Sequence, residues 1–395
     1  MGMNSTEADK NLEALLSELD LPDRAYELAE RRYKDLGAWI RRPGSSLEPF
    51  DAHIFVQGSF AFGTAIQPVN DDDEYDLDFS CKLRKGIARD THSQQQLKTL
   101  VGIELKAYRE ARQITKPMVE KNRCWRLGYK DELAFHMDVV PGIRADTARR
   151  FELRTRMERA GVDSTLAEEA ARRALWITDL QDANYDRVSQ DWPSSNPGGY
   201  QLWFQAQMRG LKEQGFVRSE VDPLPVYRSK TPLQHCIQLL KRHRDVMFRD
   251  ECDMKPASII ITTVGARAYI AGGSLSLTMQ RALDALEEIR RSGTDAVINP
   301  VNPNENFADR WARPELQHLR LKANFHAWTQ QASSDFGKFL TSTPRERLLE
   351  VAQDSFQVNA QSRFARNLGV AASAAAATSI RSVAAQPAPP RPWCI

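Results

Sequence analysis

Tyr75-Asp76-Leu77-Asp78-Phe79-Ser80-Cys81 is the stretch whose reading decides the fold. Its polar and apolar residues alternate from Asp76 to Cys81, which is the period of a β-strand. On a strand Asp76 and Asp78 leave the same face, while Leu77 and Phe79 point to the other and can bury. Two carboxylates side by side repel unless a cation lies between them. Oxygen ligands in this arrangement suit Mg²⁺, with Mn²⁺ as a substitute. Asp71-Asp72-Asp73-Glu74 supplies other acidic pairs, but these precede the alternation and read as the loop before the strand.

Upstream, His53 to Gln57 reads as a short strand that stops at Gly58-Ser59, a turn whose free backbone N–H groups can meet phosphate oxygens. Downstream, Leu133 to Val140 reads as a second strand closed by Pro141-Gly142. Asp138 lies on it between Met137 and Val139, so its carboxylate faces away from the buried side. A third carboxylate beside Asp76 and Asp78 could complete a two-metal site or take a proton from an attacking hydroxyl. Each element alone is common: an Asp-x-Asp pair or a Gly-Ser turn is usually ordinary surface. Their order is what points to metal-dependent phosphate chemistry.

Further outward, Leu12 to Trp39 reads as helix interrupted at Pro22, and Leu100 to Thr115 as another. From about Thr147 charged helical stretches dominate: Ala148 to Ala174, Gly199 to Gly215, Leu275 to Arg291, Asn324 to Ala332 and Arg345 to Asn367. Thr231-Pro232 opens a well-marked helix, since threonine can cap and proline fits the first helical position. Leu233, Ile237, Leu240 and Met247 form its expected buried stripe. Lys241 falls at the edge of that stripe, where a cation can reach a cleft without burial. Arg244 falls inside it and calls for a partner, most simply a structural ion pair. Ser258 to Val264 is β-branched and fits either helix or strand. Ala371 to Ile395 is Ala-rich and then Pro-rich, a composition that supports no core, so it reads as a flexible tail.

The chain has 395 residues, enough for two domains or one bilobal body. A hydrophobic content of 42% with 27% charged residues places it among ordinary soluble proteins. A formal charge of +2 gives no global drive toward a polyanion, so no obligate nucleic-acid partner is expected. No window is long and apolar enough to span a membrane. Met1 to Lys10 carries no apolar signal core, and five scattered cysteines are not a disulfide framework; both fit a cytoplasmic protein. No G-x-x-x-x-G-K-[ST] occurs, which removes a Walker-type ATPase. His235, Cys236, His243 and Cys252 lack the paired spacing of a zinc site.

Gln57-Gly58-Ser59-Phe60, Gly63-Thr64-Ala65-Ile66-Gln67-Pro68, Glu74-Tyr75-Asp76-Leu77-Asp78 and His136-Met137-Asp138-Val139-Val140-Pro141 together resemble the signature of bacterial cyclic-oligonucleotide synthases. These are cGAS/DncV-like relatives of oligoadenylate synthase within the polymerase-β nucleotidyltransferase superfamily. The resemblance continues through Ser195-Asn196-Pro197-Gly198-Gly199-Tyr200, Lys241-Arg242-His243-Arg244-Asp245, Ser258 to Thr263, and Asn299-Pro300 to Trp311.

It implies an α/β fold, with a polymerase-β-type nucleotidyltransferase lobe of mixed sheet and flanking helices packed on a helical C-terminal lobe. The expected division is 1–146, 147–370 and the tail 371–395. It also implies that Gln57, Gly58 and Ser59 hold a donor triphosphate, that Asp76, Asp78 and Asp138 hold two Mg²⁺, and that Lys241 and Ser258 grip phosphates from the other lobe. Ser195 and Asn196 are candidates for the nucleobase pocket. The implied reaction joins nucleoside triphosphates (ATP, GTP or pyrimidine nucleotides) into a cyclic di- or trinucleotide. The setting is antiphage defence, with regulatory or effector proteins as partners. A linear transferase acting on RNA or a small acceptor shares all three carboxylates and is the alternative.

Overall fold

The computed structural model describes residues 5–70, 74–129, 133–209, 229–359 and 363–368. Asp71 to Asp73, the end of the stretch expected to be helical after Arg209, and the Ala/Pro-rich segment 371–395 lie outside these residues.

The chain opens with α1 (Ser5–Leu16) and α2 (Asp23–Ile40). Pro22, extended at ψ 145°, caps the start of α2 and divides the two. Next come β1 (Ala52–Val56), the short helix α3 (Gly58–Phe62), β2 (Tyr75–Leu83) and α4 (Gln94–Ala111). A second run of strands follows: β3 (Val119–Glu120), β4 (Trp125–Tyr129) and β5 (Phe135–Arg144). After α5 (Thr147–Arg159) and α6 (Ser164–Ala171), β6 (Leu175–Ile177) and β7 (Ser194–Ser195) return to the same sheet.

The sheet runs β1-β2-β5-β4-β3, with β6 on β5 and β7 on β6. Among the described strands of this sheet β2 and β5 pair in parallel and the other neighbours are antiparallel. The mixed sheet with flanking helices agrees with the fold class expected from sequence. β5 does not close at Pro141-Gly142 but continues to Arg144. β4 pairs with β5 as far as Val139 and β6 begins at Gly142, so Pro141 falls between two neighbours where no N–H is asked for.

The remaining elements are mostly helical: α7 (Pro197–Arg209), α8 (Pro232–Met247), α9 (Ser258–Ala268), α10 (Leu275–Ser292), the hairpin β8 (Ile298–Asn299) and β9 (Asn302–Asn306), α11 (Leu321–Leu340), α12 (Arg345–Phe356) and α13 (Arg363–Asn367). The β-branched run at 258–264 is the start of α9. Its two threonines satisfy their hydroxyls within the helix, Thr262 on the Ser258 carbonyl (2.9 Å) and Thr263 on that of Ile259 (2.7 Å).

Among the described residues two large apolar cores form, beside a small cluster of Phe55, Leu175 and Ile177. One gathers the sheet with α2, α4, α5, α6 and α7, and includes Tyr33, Leu77, Phe79, Met137 and Phe204. The other gathers the C-terminal helices around Trp328, Phe336 and Phe356, and takes in Leu12, Leu15 and Leu19 from the start of the chain. Helix α8 lies between them, giving Leu233 and Ile237 to the first core and Cys236, Leu239 and Leu240 to the second. Thr231 and Gln234 form a capping box at its start, with Pro232 at the first turn. Met247, expected in the buried stripe, is 42% exposed, while its neighbours Val246 and Phe248 are buried.

Candidate active site

The parallel pair β2–β5 builds the floor of the site. Its register sets Asp76 opposite His136 and Asp78 opposite Asp138. The strand period puts all four side chains on one face, while Leu77, Phe79, Met137 and Val139 are fully buried on the other. These residues line or adjoin a cleft of about 510 Å³ between the sheet and helices α8 and α9. Gly58, Ser59, Asp76, Asp78, His136, Lys241 and Ser258 all border it.

Gly58 is tightly determined. It has φ +66°, and a Cβ at this position would lie 2.1 Å from Asp78 Oδ2. The glycine therefore supplies a left-handed turn and also the room in which the Asp78 carboxylate sits. Gln57 stands behind the cleft: its N–H donates to the Asp78 carbonyl (2.8 Å) and its Oε1 accepts from the Ser80 hydroxyl (2.9 Å).

Electrostatically the carboxylates are unequal. Burial, followed by the charges of Asp76 and Asp138, pushes the Asp78 carboxyl well above the usual range. Asp76 moves the other way: burial opposes its ionisation, but the hydrogen bond and charge of His136, with Arg126 and Lys241, outweigh it. Asp138 is gripped on both oxygens by Arg126 of β4 (2.7 and 2.6 Å), whose position opposite it follows from the β4–β5 register. Mutual repulsion at Asp78 is the cost that a divalent cation would remove, so the donor set fits such an ion. A possible metal-binding group is present in Asp76, His136 and Asp138, whose ligand atoms lie within 4.8 Å of one another.

The opposite wall belongs to α8. Gln234, Gln238 and Lys241 donate to the carbonyls of Phe62, Ala65 and Thr64, each at 2.8 Å. Arg242 reaches that of Pro68 (3.4 Å). One face of α8 thus holds the loop that follows α3 and ties the two walls together. Lys241 is buried rather than held at the edge of a stripe, because α8 is covered on both sides. Burial, then the neighbouring Arg244, lowers its ammonium to about 8. Arg244 has the partners its position demanded: Asp245 (2.6 Å), the Pro256 carbonyl (3.1 Å) and the Ser258 hydroxyl (2.6 Å).

Ser195 and Asn196 do not border this cleft. Ser195 pairs with Leu175 in the sheet, and Asn196 is buried, donating to the Ala170 carbonyl (3.0 Å) and accepting from the Gly199 N–H (3.0 Å) as the cap of α7. These contacts give both residues a structural role at the start of α7. Tyr200, Trp203 and Phe204 are core residues, as their helical spacing suggested. Sequence reasoning missed Arg126 and the role of His136. The signal for His136 was its spacing, two residues before Asp138 on the same strand.

Residues 52–141 match the family model described as "Cyclic GMP-AMP synthase DncV-like, nucleotidyltransferase domain". A c-di-GMP synthase of Roseivirga ehrenbergii is 26% identical over 321 residues, covering 79% of this chain and 75% of that one. The cyclic dinucleotide synthase CdnG of Bradyrhizobium diazoefficiens is 27% identical over 336 residues, covering 80% and 74%. The solved structure of that CdnG with GTP aligns with a TM-score of 0.61 at 21% identity, over 92% of this chain and 98% of that chain, a likeness of fold. Fold and floor geometry define a nucleotidyltransferase. More narrowly, residues 52–141 match the DncV-like nucleotidyltransferase domain, and the chain as a whole is similar to the two bacterial cyclic dinucleotide synthases above.

Proposed function

We propose that the protein joins two nucleoside triphosphates into a cyclic dinucleotide in this cleft, releasing pyrophosphate at each transfer. The observation that carries the reading is the register of β2 and β5, which sets Asp138 beside Asp78, while Asp76 and Asp78 line the cleft that Lys241 also borders. The relatives named as c-di-GMP synthase and CdnG support a cyclic dinucleotide product, and the CdnG complex with GTP supports guanine as one base.

In this reading Gly58 and Ser59 receive the donor triphosphate at the first turn of α3, where backbone N–H groups have no helical acceptor. Asp76, Asp78 and Asp138 would hold Mg²⁺, with Mn²⁺ as a substitute, which when bound would supply charge neutralisation to the transferring phosphate. Lys241 and Ser258 meet the phosphates from the helical side. A ribose hydroxyl of the second nucleotide forms a bond to the α-phosphorus, the bond to the β-phosphate oxygen breaks, and the hydroxyl proton passes to a carboxylate of the triad, for which Asp138 is the candidate. The second transfer closes the ring.

The proposed division of labour is a catalytic lobe through residue 146 and a lobe over 147–370 that closes the cleft, with α1 crossing to pack on the latter. No described helix is long and apolar enough to cross a membrane, which supports a cytoplasmic setting. Signalling to an effector in antiphage defence is supported by the sequence resemblance alone.

The test is Asp78→Asn and Asp138→Asn, each near-isosteric. Both should abolish pyrophosphate release from nucleoside triphosphates while retaining cooperative unfolding. Undiminished turnover in either variant refutes the site.

A further inference from the structure

The carboxylates at the floor belong to the reading above, but His136 does not. Its Nε2 lies 2.9 Å from Asp76 Oδ1 and its Nδ1 3.2 Å from Glu74 Oε2. Glu74 is itself paired with Lys116. Lys116 reaches it across Gly128, where a Cβ would stand 2.7 Å from the lysine Cδ. Gly128 is the residue opposite His136 in the β4–β5 register, so a missing side chain clears the path for this ion pair.

This arrangement has a chemical consequence. Glu74, placed on Nδ1, fixes the orientation of the ring and leaves Nε2 directed at the carboxylates. Nε2 and the carboxylates of Asp76 and Asp138 present ligand atoms within 4.8 Å of one another, so a cation among them would take the place of the hydrogen bond that joins Nε2 to Asp76 at 2.9 Å. Carboxylate, histidine and cation in line is the arrangement by which proteins fix the tautomer and orientation of a ligating imidazole. The ring is also mostly sheltered, with 13% of the side chain exposed.

We propose that His136 ligates a divalent cation through Nε2, together with Asp76 and Asp138, with Glu74 and Lys116 as positioning residues, and that the site prefers a first-row transition ion to Mg²⁺. The proposal rests on the nucleotidyl-transfer reading of the cleft. Mg²⁺ keeps to oxygen donors and near-ideal octahedral geometry, whereas first-row ions accept imidazole.

Mn²⁺ is the probe. Its binding is measured by the electron paramagnetic resonance of the free ion, and its donors by pulsed resonance on the bound ion. The wild type should show a directly bonded ¹⁴N coupling, replaced by ¹⁵N coupling in protein grown with ¹⁵N-histidine; that exchange requires no variant. His136→Asn should lose the coupling and bind Mn²⁺ at least tenfold more weakly, while Mg²⁺ competes better than before. Glu74→Gln should keep the coupling and weaken binding by about 10- to 100-fold. Bound Mn²⁺ without nitrogen coupling in the wild type, or coupling that survives His136→Asn, overturns the ligand assignment and leaves the nucleotidyl-transfer reading standing. A wild type that binds no Mn²⁺ and releases no pyrophosphate overturns both.

Discussion

Replacing Gly58 by alanine should separate the two tasks of this residue. The added Cβ would stand 2.1 Å from Asp78 Oδ2, 3.0 Å from its Cγ and 3.2 Å from its Cβ. The carboxylate oxygen must retreat by about 1 Å to approach van der Waals separation. Displacement of a reacting constellation on that scale costs on the order of 100-fold in rate. A second cost is conformational, since alanine at φ +66° is strained by about 1–2 kcal/mol. Gly44→Ala is the control: φ there is +79°, and nothing lies within 4 Å of the added Cβ. Pyrophosphate release under saturating nucleotide and metal gives kcat, and urea unfolding gives stability. Both variants should lose similar stability, and only Gly58→Ala should lose turnover. If Gly58→Ala stays within about twofold of wild-type kcat, the coupling of this glycine to Asp78 is wrong.

Other consequences are directly measurable. Lys241, with its ammonium lowered to about 8, carries fewer protons folded than unfolded between there and its ordinary value of 10.5, so its contribution to stability rises with pH across that window. A triphosphate would restore the proton; at pH 9 nucleotide binding should take one up, seen calorimetrically in buffers of different ionisation enthalpy, and Lys241→Met should abolish that uptake. Asn196→Ala should lower stability by about 1 kcal/mol or more through loss of the α7 cap, leaving nucleotide selectivity unchanged in competition assays.

Much of the site was legible because it obeys local periodicity. The alternation around Asp76-Leu77-Asp78-Phe79 fixed which face buries, and Leu77 and Phe79 are indeed fully buried. The Thr231-Pro232 start of α8 was equally plain. What escaped was set by pairing between distant segments. Arg126 meets Asp138 only because β4 returns antiparallel to β5, and neither residue's neighbours announce it. Lys241 was read against one apolar stripe, but α8 has a core on either side and a loop at its edge, so the lysine is enclosed. Ser195 and Asn196 read from sequence as candidates for a nucleobase pocket. Asparagine followed by proline is also a helix start, and here that chemistry prevailed.

The central claim is a ring-closing nucleotidyl transfer at the triad. Its most direct test is incubation of the protein with all four labelled nucleoside triphosphates and Mg²⁺ or Mn²⁺, followed by phosphatase and mass analysis. The expected result is a phosphatase-resistant cyclic dinucleotide containing guanine, absent with Asp78→Asn. Products that phosphatase degrades completely, or labelled chains that grow only on added RNA, would contradict the account.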